Sequence, residues 1–249
     1  MSKVKMNIVK SFGKIKYRPE TIGLSPINKT GKDVKICIID SGLPDHSAIN
    51  GCVDYINFSS SITSEDLKGN ATIIAGLMTS NNDEKIIGFI PDAKLYFAKT
   101  NDNIDFSGII ASVLWGITKG VDIIVIPSPI NDYNEILSDV IKKANENNIC
   151  VVLMSAKDVK YSDALTVVPS NIDGVVYSGS GKISITAKDL ISTYLNQSYV
   201  KVSGGLGVSS IIASMCALLI ENNKDNDIRY NPSIIYGQLI QMTINKENS

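Results

Sequence analysis

Residues 34–42 of this chain read VKICIIDSG, and the fold prediction rests first on this stretch. The run from Val34 to Ile39 is short, apolar and rich in β-branched residues, which predicts a buried strand. It ends at Asp40, an acid at the end of a strand that is followed by a tight turn. Sites of open α/β sheets lie outside the carboxyl ends of strands, which makes Asp40 a candidate site residue. A plain turn-capping role for its carboxylate explains the same pattern.

Further short apolar runs alternate with amphipathic stretches on both sides of this strand, which is typical of a parallel sheet covered by helices. Strands are predicted at Lys94–Ala98, Val121–Ile126 and Cys150–Met154, with weaker ones at Leu165–Val168 and Gly174–Tyr177. Helices are predicted at Phe106–Lys119, Asn134–Asn147 and Val208–Asn222, and Pro232 opens a last helix. The sequence therefore predicts a three-layer α/β fold with a mostly parallel central sheet flanked by helices. We expect one domain over residues 1–249, with residues 1–30 as an N-terminal arm.

The composition is that of an ordinary globular protein, with 44% hydrophobic and 20% charged residues in 249. A net charge of −1 gives no reason to expect nucleic acid or a membrane as partner. The N-terminal stretch lacks the apolar core of a signal peptide, and no run reaches the ~20 apolar residues of a membrane span. The four cysteines show no metal-ligand spacing, and Cys37 and Cys216 lie in apolar runs. We expect a cytoplasmic protein without cofactor or metal.

Seven motifs follow one another along the chain in an order that is informative about the fold. They are IIDSGLPDH, ATIIAGLM, GFIPDAKLYFAK, VLWGITKGVDIIVI, VVLMSA, SGGLGVSSIIASMCALLI and NPSIIYGQLIQMT. This succession resembles the subtilisin-like serine proteases, the subtilases, over nearly the whole chain. The resemblance implies a subtilisin-like fold and a cleft that takes an extended peptide.

The resemblance also assigns the positions of a catalytic triad. The family's aspartate falls on Asp40, the family's histidine on Asn70 and the family's serine on Leu206. An asparagine amide does not titrate near neutral pH, and leucine has no hydroxyl with which to attack a carbonyl. Asn70 is also suited to an N-cap of the helix that follows it. On these grounds the sequence predicts a degenerate triad.

The family's oxyanion asparagine falls on Asp158, or on Lys157 by an alternative alignment. An aspartate there would repel the negative charge that develops in acyl transfer. The family often binds calcium in a loop that corresponds to residues 80–84, whose side chains offer oxygens, although a polar surface turn explains those residues equally well.

The family's substrate-binding edge corresponds to Pro127, Ser128 and Pro129, and its serine loop to Gly204 and Gly205. Each proline removes an N–H that could pair with a substrate backbone, so we expect this cleft to be vestigial. Only about thirty residues precede the first strand, which is too short for the folding pro-domain that subtilases usually carry.

The sequence leads to the hypothesis that the chain is not an enzyme. In this interpretation it is a pseudoprotease that acts as a regulatory or scaffolding component by binding another protein or peptide. One alternative is an active hydrolase with a relocated nucleophile, for which Ser203, Ser209 and Ser210 are candidates. Another is a module that holds a leader or signal peptide in the old substrate cleft. The single histidine, His46, is expected to have a structural role.

Overall fold

The structure is a computed structural model that describes residues 7–82, 84–101, 105–155, 159, 161–169, 175–178, 182–185 and 187–244. The described strands are β1 (Asn7–Ile8), β2 (Ile15–Lys16), β3 (Lys35–Asp40), β4 (Cys52–Asn57), β5 (Ile86–Ile87), β6 (Lys94–Lys99), β7 (Ile123–Ile130), β8 (Cys150–Ser155), β9 (Leu165–Pro169), β10 (Val175–Ser178), β11 (Lys182–Ile185), β12 (Leu190–Tyr194) and β13 (Ser198–Val202). The described helices are α1 (Asn70–Thr79), α2 (Phe106–Lys119), α3 (Glu135–Glu146), α4 (Gly205–Asp225) and α5 (Pro232–Ile244).

The central sheet has the strand order β10-β11-β9-β8-β7-β3-β6-β4. All neighbours in it are parallel except β10 and β11, which are antiparallel. The prediction of a mostly parallel α/β sheet is therefore confirmed. From β3 the chain moves to β4 on one side, and from β7 it moves to β8 on the other. The carboxyl ends of β3 and β7 thus form the topological switch point, where open sheets bind ligands.

Alternation along β3 divides the core into two halves. Ile36 and Ile38 belong to the cluster under α1 and α4, whereas Cys37 and Ile39 belong to the cluster under α2 and α3. This is the period of two that places successive side chains on opposite faces of a strand. Because both faces are covered by helices, residues 36–39 of β3 form a continuous apolar run.

The predicted helices are present with small shifts of their ends. Asn134 caps α3 instead of starting it, because its side-chain oxygen accepts the Leu137 N–H at 2.9 Å. Leu137 and Ile141 of α3 face the core, whereas Ile136 is 62% exposed. Helix α4 begins three residues earlier than predicted, at Gly205, since its glycine-rich start carries no apolar periodicity.

A smaller antiparallel sheet, β1-β13-β12, packs beside α1 and was not predicted from the sequence. It holds part of the expected N-terminal arm, since β1 pairs with β13. Tyr17, which follows β2, joins the N-terminal segment to β12. Its hydroxyl donates to the Ile191 carbonyl at 2.9 Å and accepts the Ile191 N–H at 2.8 Å. Residues 7–24 therefore lie against the body of the protein.

Helix α4 is the core helix. By length and composition alone it could cross a membrane, but 83% of its most apolar window is buried inside the protein. Among the described residues, α4 is the one helix that is long and apolar enough to span a membrane. Because it is mostly buried in the protein, the described residues contain no clear transmembrane segment.

Gly76 allows α1 to approach β12 closely. A Cβ at this position would lie 2.0 Å from the Thr193 Oγ1 and 2.9 Å from the Thr193 backbone nitrogen. We expect Gly76→Ala to lower the free energy of unfolding by about 1–3 kcal/mol, because the helix must move away. Gly237→Ala in α5 is the matched control, since its Cβ meets nothing within 4 Å and should be neutral or slightly stabilising. Urea denaturation of both variants measures this, and equal stabilities would contradict the expectation.

Candidate functional site

The switch point brings together two of the three predicted triad positions. Asp40, at the end of β3, and Asn70, at the start of α1, line one small pocket together with Ser128 of β7. This pocket opens onto a cavity of about 560 Å³, with which it shares four lining residues: Ser41, Lys68, Thr100 and Asn101. The site is therefore a continuous polar depression along the carboxyl ends of β3, β6 and β7.

The Asp40 carboxyl is buried, and burial raises its pKa from 3.8 to about 6. The negative charge of Asp66 adds to this rise, whereas the Ser41 N–H, which donates to Oδ1 at 2.6 Å, opposes it. The Asn70 amide lies beside the carboxyl and opposes the rise slightly, but Oδ2 has no hydrogen-bond partner of acceptable geometry. Where the family resemblance implies an imidazole, this acid faces an amide that cannot titrate.

The buried Asp66 carboxylate organises the start of α1. Its Oδ1 accepts the Ser41 hydroxyl at 2.7 Å and the Gly69 N–H at 2.8 Å. Its Oδ2 accepts the backbone N–H and the hydroxyl of Thr72 at 2.8 and 2.7 Å. Asn70 is thus not the N-cap that we expected but the first helical residue. The capping residue is Gly69, which has no side chain to accept a hydrogen bond, and the Asp66 carboxylate accepts the free N–H groups at the start of α1 instead.

The third triad position, Leu206, lies in the first turn of α4 and packs, partly buried, against the larger core cluster. The backbone of Gly205 lies against the Met154 side chain at the end of β8. Gly204 precedes the helix with φ 86° and ψ −149°, a conformation that is essentially restricted to glycine. A bulky residue at Gly204 would therefore strain the backbone.

The prolines of the predicted substrate edge lie in an irregularity of β7. Ile126 pairs with Leu153 and Ile130 with Ser155, so β7 contains two more residues than β8 in this interval. The extra residues accommodate Pro127 and Pro129, because a bulge leaves positions without a ladder hydrogen bond. The bulge also directs Ser128 to the pocket beside Asp40.

His46 has a structural role, as expected. The Ala48 N–H donates to its Nδ1 at 3.1 Å, so the neutral ring carries its proton on Nε2, which donates to the Ser198 carbonyl at 3.2 Å. Burial lowers the pKa of His46. Both nitrogens are engaged, and no base for a serine is available in this ring.

The serines considered as relocated nucleophiles do not face such a base either. Ser203 accepts the Asp189 N–H, and Ser210 donates to the Leu206 carbonyl. Ser209 is fully buried in α4 without a hydrogen-bond partner in the described part of the chain. The hydroxyls of Ser203 and Ser210 thus serve the local structure of α4 and of the segment before it.

Asp158 and Lys157, the candidates for the oxyanion position, lie outside the described residues, as does Asp83 of the 80–84 loop. In the remainder of that loop, the Asn82 side chain accepts the Glu84 N–H, which is the pattern of a polar turn. Among the residues that the structure describes, no three His, Cys, Asp or Glu side chains are grouped to hold a metal ion.

Two lysines line the larger cavity, and sequence reasoning did not select either of them. Lys99 is the last residue of β6 and is only 6% exposed. Its ammonium donates to the carbonyls of Thr63 and Glu65 at 2.9 and 2.7 Å. Lys68 lies at the exposed rim. The signal that could have revealed Lys99 is its place at the carboxyl end of a strand next to β3.

Comparison with known proteins matches residues 31–156 to the Subtilase family. The minor extracellular protease Epr of Bacillus subtilis (strain 168) is 29% identical over 208 residues, which cover 76% of this chain and 32% of Epr. Subtilisin BL of Lederbergia lenta is 25% identical over 218 residues, which cover 78% of both chains. The structure of the prenylagaramide maturation protease PagA superposes with a TM-score of 0.65 at 15% identity, covering 82% of this chain and 81% of PagA.

The chain spans about a third of Epr and 57% of a second relative, the thermostable alkaline protease of Halalkalibacterium halodurans. The PagA superposition confirms the subtilisin-like fold. The names of the relatives contradict the prediction that the chain is not an enzyme, because they are proteases and the family indicates a protease. The matched segment contains Asp40 and Asn70 and covers half of the sequence, and this chain belongs to the subtilase family.

Proposed function

We propose that this subtilase binds an extended polypeptide segment across the carboxyl ends of β3 and β7. One observation carries this function: Asp40, Asn70 and Ser128 line a pocket that continues into a cavity of about 560 Å³ at the switch point of the sheet. Ligand sites of parallel sheets lie at this place, and the relatives named above are proteases, whose substrates are polypeptides.

The binding test uses a steric block at Ser128. Ser128 is half-buried in the bulge of β7, so an aromatic ring at this position would fill the pocket beside Asp40. We expect Ser128→Phe to weaken the binding of fluorescein-labelled decapeptide pools at least about tenfold, whereas Ser128→Ala keeps the pocket open and retains binding. Fluorescence anisotropy measures both variants, and thermal melting shows whether each is folded.

Binding that survives in a folded Ser128→Phe variant would contradict this function. It would favour a role through the outer surface, as in the regulatory or scaffolding hypothesis. Ser128→Phe is a better block than a substitution of Gly204, because φ 86° at Gly204 would add backbone strain to the steric effect.

A second candidate function is hydrolysis of the bound peptide with a nucleophile other than residue 206. The pocket favours it in one respect, since the Ser128 hydroxyl shares the pocket with the Asp40 carboxyl and with Lys68. In this mechanism Ser128→Ala and Asp40→Ala would each abolish the appearance of cleaved peptides in mass spectrometry. Cleavage that persists in both variants would place the nucleophile elsewhere.

The cytoplasmic location stays a prediction. The four cysteines are free, and three of them are buried, as a reducing compartment allows. The relative Epr, by contrast, is named an extracellular protease.

A further inference from the structure

The cavity beside the cleft contains a buried cation, Lys99, that no carboxylate in the described part of the chain neutralises. Lys99 is buried, and its hydrogen bonds go to two uncharged carbonyls, of Thr63 and Glu65. Among the described residues, no carboxylate forms an ion pair with it within 4.0 Å. A buried ammonium normally has an anionic partner, because burial removes its hydration.

The acid on the wall of the cavity is already committed to its own neighbours. Asp105 caps α2, since its Oδ1 accepts the N–H and the hydroxyl of Ser107. Its Oδ2 accepts the Asn101 amide at 2.9 Å. Lys68 at the rim adds a second positive charge to the lining. Lys99 is thus the cation of the lining whose described hydrogen-bond partners are all uncharged.

We propose that this cavity accepts an acidic side chain of the bound peptide, with Lys99 as the residue that pairs with its carboxylate. The inference rests on the proposed peptide-binding function and names the substrate class. The cavity adjoins the pocket of Asp40 and Ser128 through Thr100 and Asn101, so one extended peptide can reach both. Two of the three ammonium protons are engaged by carbonyls, which leaves the third for a ligand oxygen. Charge-assisted pairing away from water discriminates strongly between a carboxylate and its amide.

The test compares two series of acetylated, amidated, fluorescein-labelled decapeptide pools, in which glutamate or glutamine occupies each position in turn. The blocked ends ensure that any effect comes from a side chain and not from a terminal carboxylate. We expect one position at which glutamate gives an affinity at least about tenfold higher than glutamine with the wild-type protein. Lys99→Met, which conserves volume, should reduce this ratio to roughly two to three, the part that Lys68 at the rim supplies.

Lys68→Gln is the second variant, because it is exposed and does not disturb the core. It should lower the same ratio by a smaller factor of roughly two to three, as expected for a solvent-exposed charge. Lys142→Gln, on the surface of α3, is the matched control and should keep the full ratio. Circular dichroism and thermal melting establish that each variant is folded.

Peptides that bind without any preference for glutamate would overturn this inference while leaving the proposed function intact. A preference that persists at its wild-type size in both Lys99→Met and Lys68→Gln would overturn it as well. If no pool binds at all, the proposed function fails, and the inference fails with it.

Discussion

Replacement of Asp66 by alanine is expected to destabilise the protein by about 3–5 kcal/mol. The carboxylate accepts hydrogen bonds from Ser41, Lys68, Gly69 and, twice, Thr72. Several of these donors are buried, and alanine would leave them without an acceptor. Breaking such a network costs far more than the net contribution of any single hydrogen bond. Thermal melting should show a loss of roughly 6–20 °C for a chain of this size.

Two further variants separate the network from a general effect of charge removal. Asp66→Asn keeps one acceptor oxygen and should fall between the wild type and Asp66→Ala. Asp139→Ala removes an exposed carboxylate of α3 and should change the stability by less than about 0.5 kcal/mol. An Asp66→Ala variant as stable as Asp139→Ala would show that the start of α1 does not depend on this network.

The parallel sheet could be predicted because its strands are buried on both faces. Runs such as 36–39 and 150–154 are apolar without interruption, and amphipathic helices separate them. The small sheet of β1, β12 and β13 gave no such signal. Its strands mix lysine, serine and tyrosine with apolar residues, and the pairing of β1 with β13 joins residues nearly 200 positions apart.

The site could be predicted in part, because the motifs place Asp40 and Asn70 at fixed points of the fold. Their meeting in one pocket follows from the parallel register of β3 and from the start of α1 beside it. Lys99 and Asp66 escaped notice because their roles depend on carbonyls and N–H groups of the 58–69 loop. Backbone partners of this kind leave no residue-type signature in a sequence.

The prediction that the chain is not an enzyme was wrong. The residues at positions 70 and 206 led to the prediction of a protein without activity, and that prediction treated two positions as decisive for the whole chain. The two relatives, whose alignments cover about three quarters of this sequence, are named as proteases. The family therefore indicates a protease, and the residues that line the cleft, rather than two motif positions, must be tested for what they do.

Asp40→Asn is expected to stabilise the protein at pH 8 by about 2 kcal/mol, in contrast to most substitutions of buried residues. Burial raises the pKa of the Asp40 carboxyl from 3.8 to about 6. The unfolded chain therefore loses this proton near pH 4, whereas the native state holds it until about pH 6. Wild-type stability falls as the pH rises through this window, by about 3 kcal/mol in all.

The asparagine variant escapes this loss because its amide stays neutral, and its oxygen can still accept the Ser41 N–H. Its amide nitrogen would occupy the place of the buried, unpartnered Oδ2, which reduces the gain. Melting curves at pH 4 and pH 8 measure the difference between variant and wild type, which should be a gain of roughly 4–8 °C at pH 8 and no gain, or a small loss, at pH 4. Asp54→Asn, at an exposed carboxyl whose pKa is lowered by its hydrogen bond from Lys119, is the control and should give no stabilisation at pH 8. A difference for Asp40→Asn that is the same at both pH values would mean that the Asp40 carboxyl does not titrate in this window.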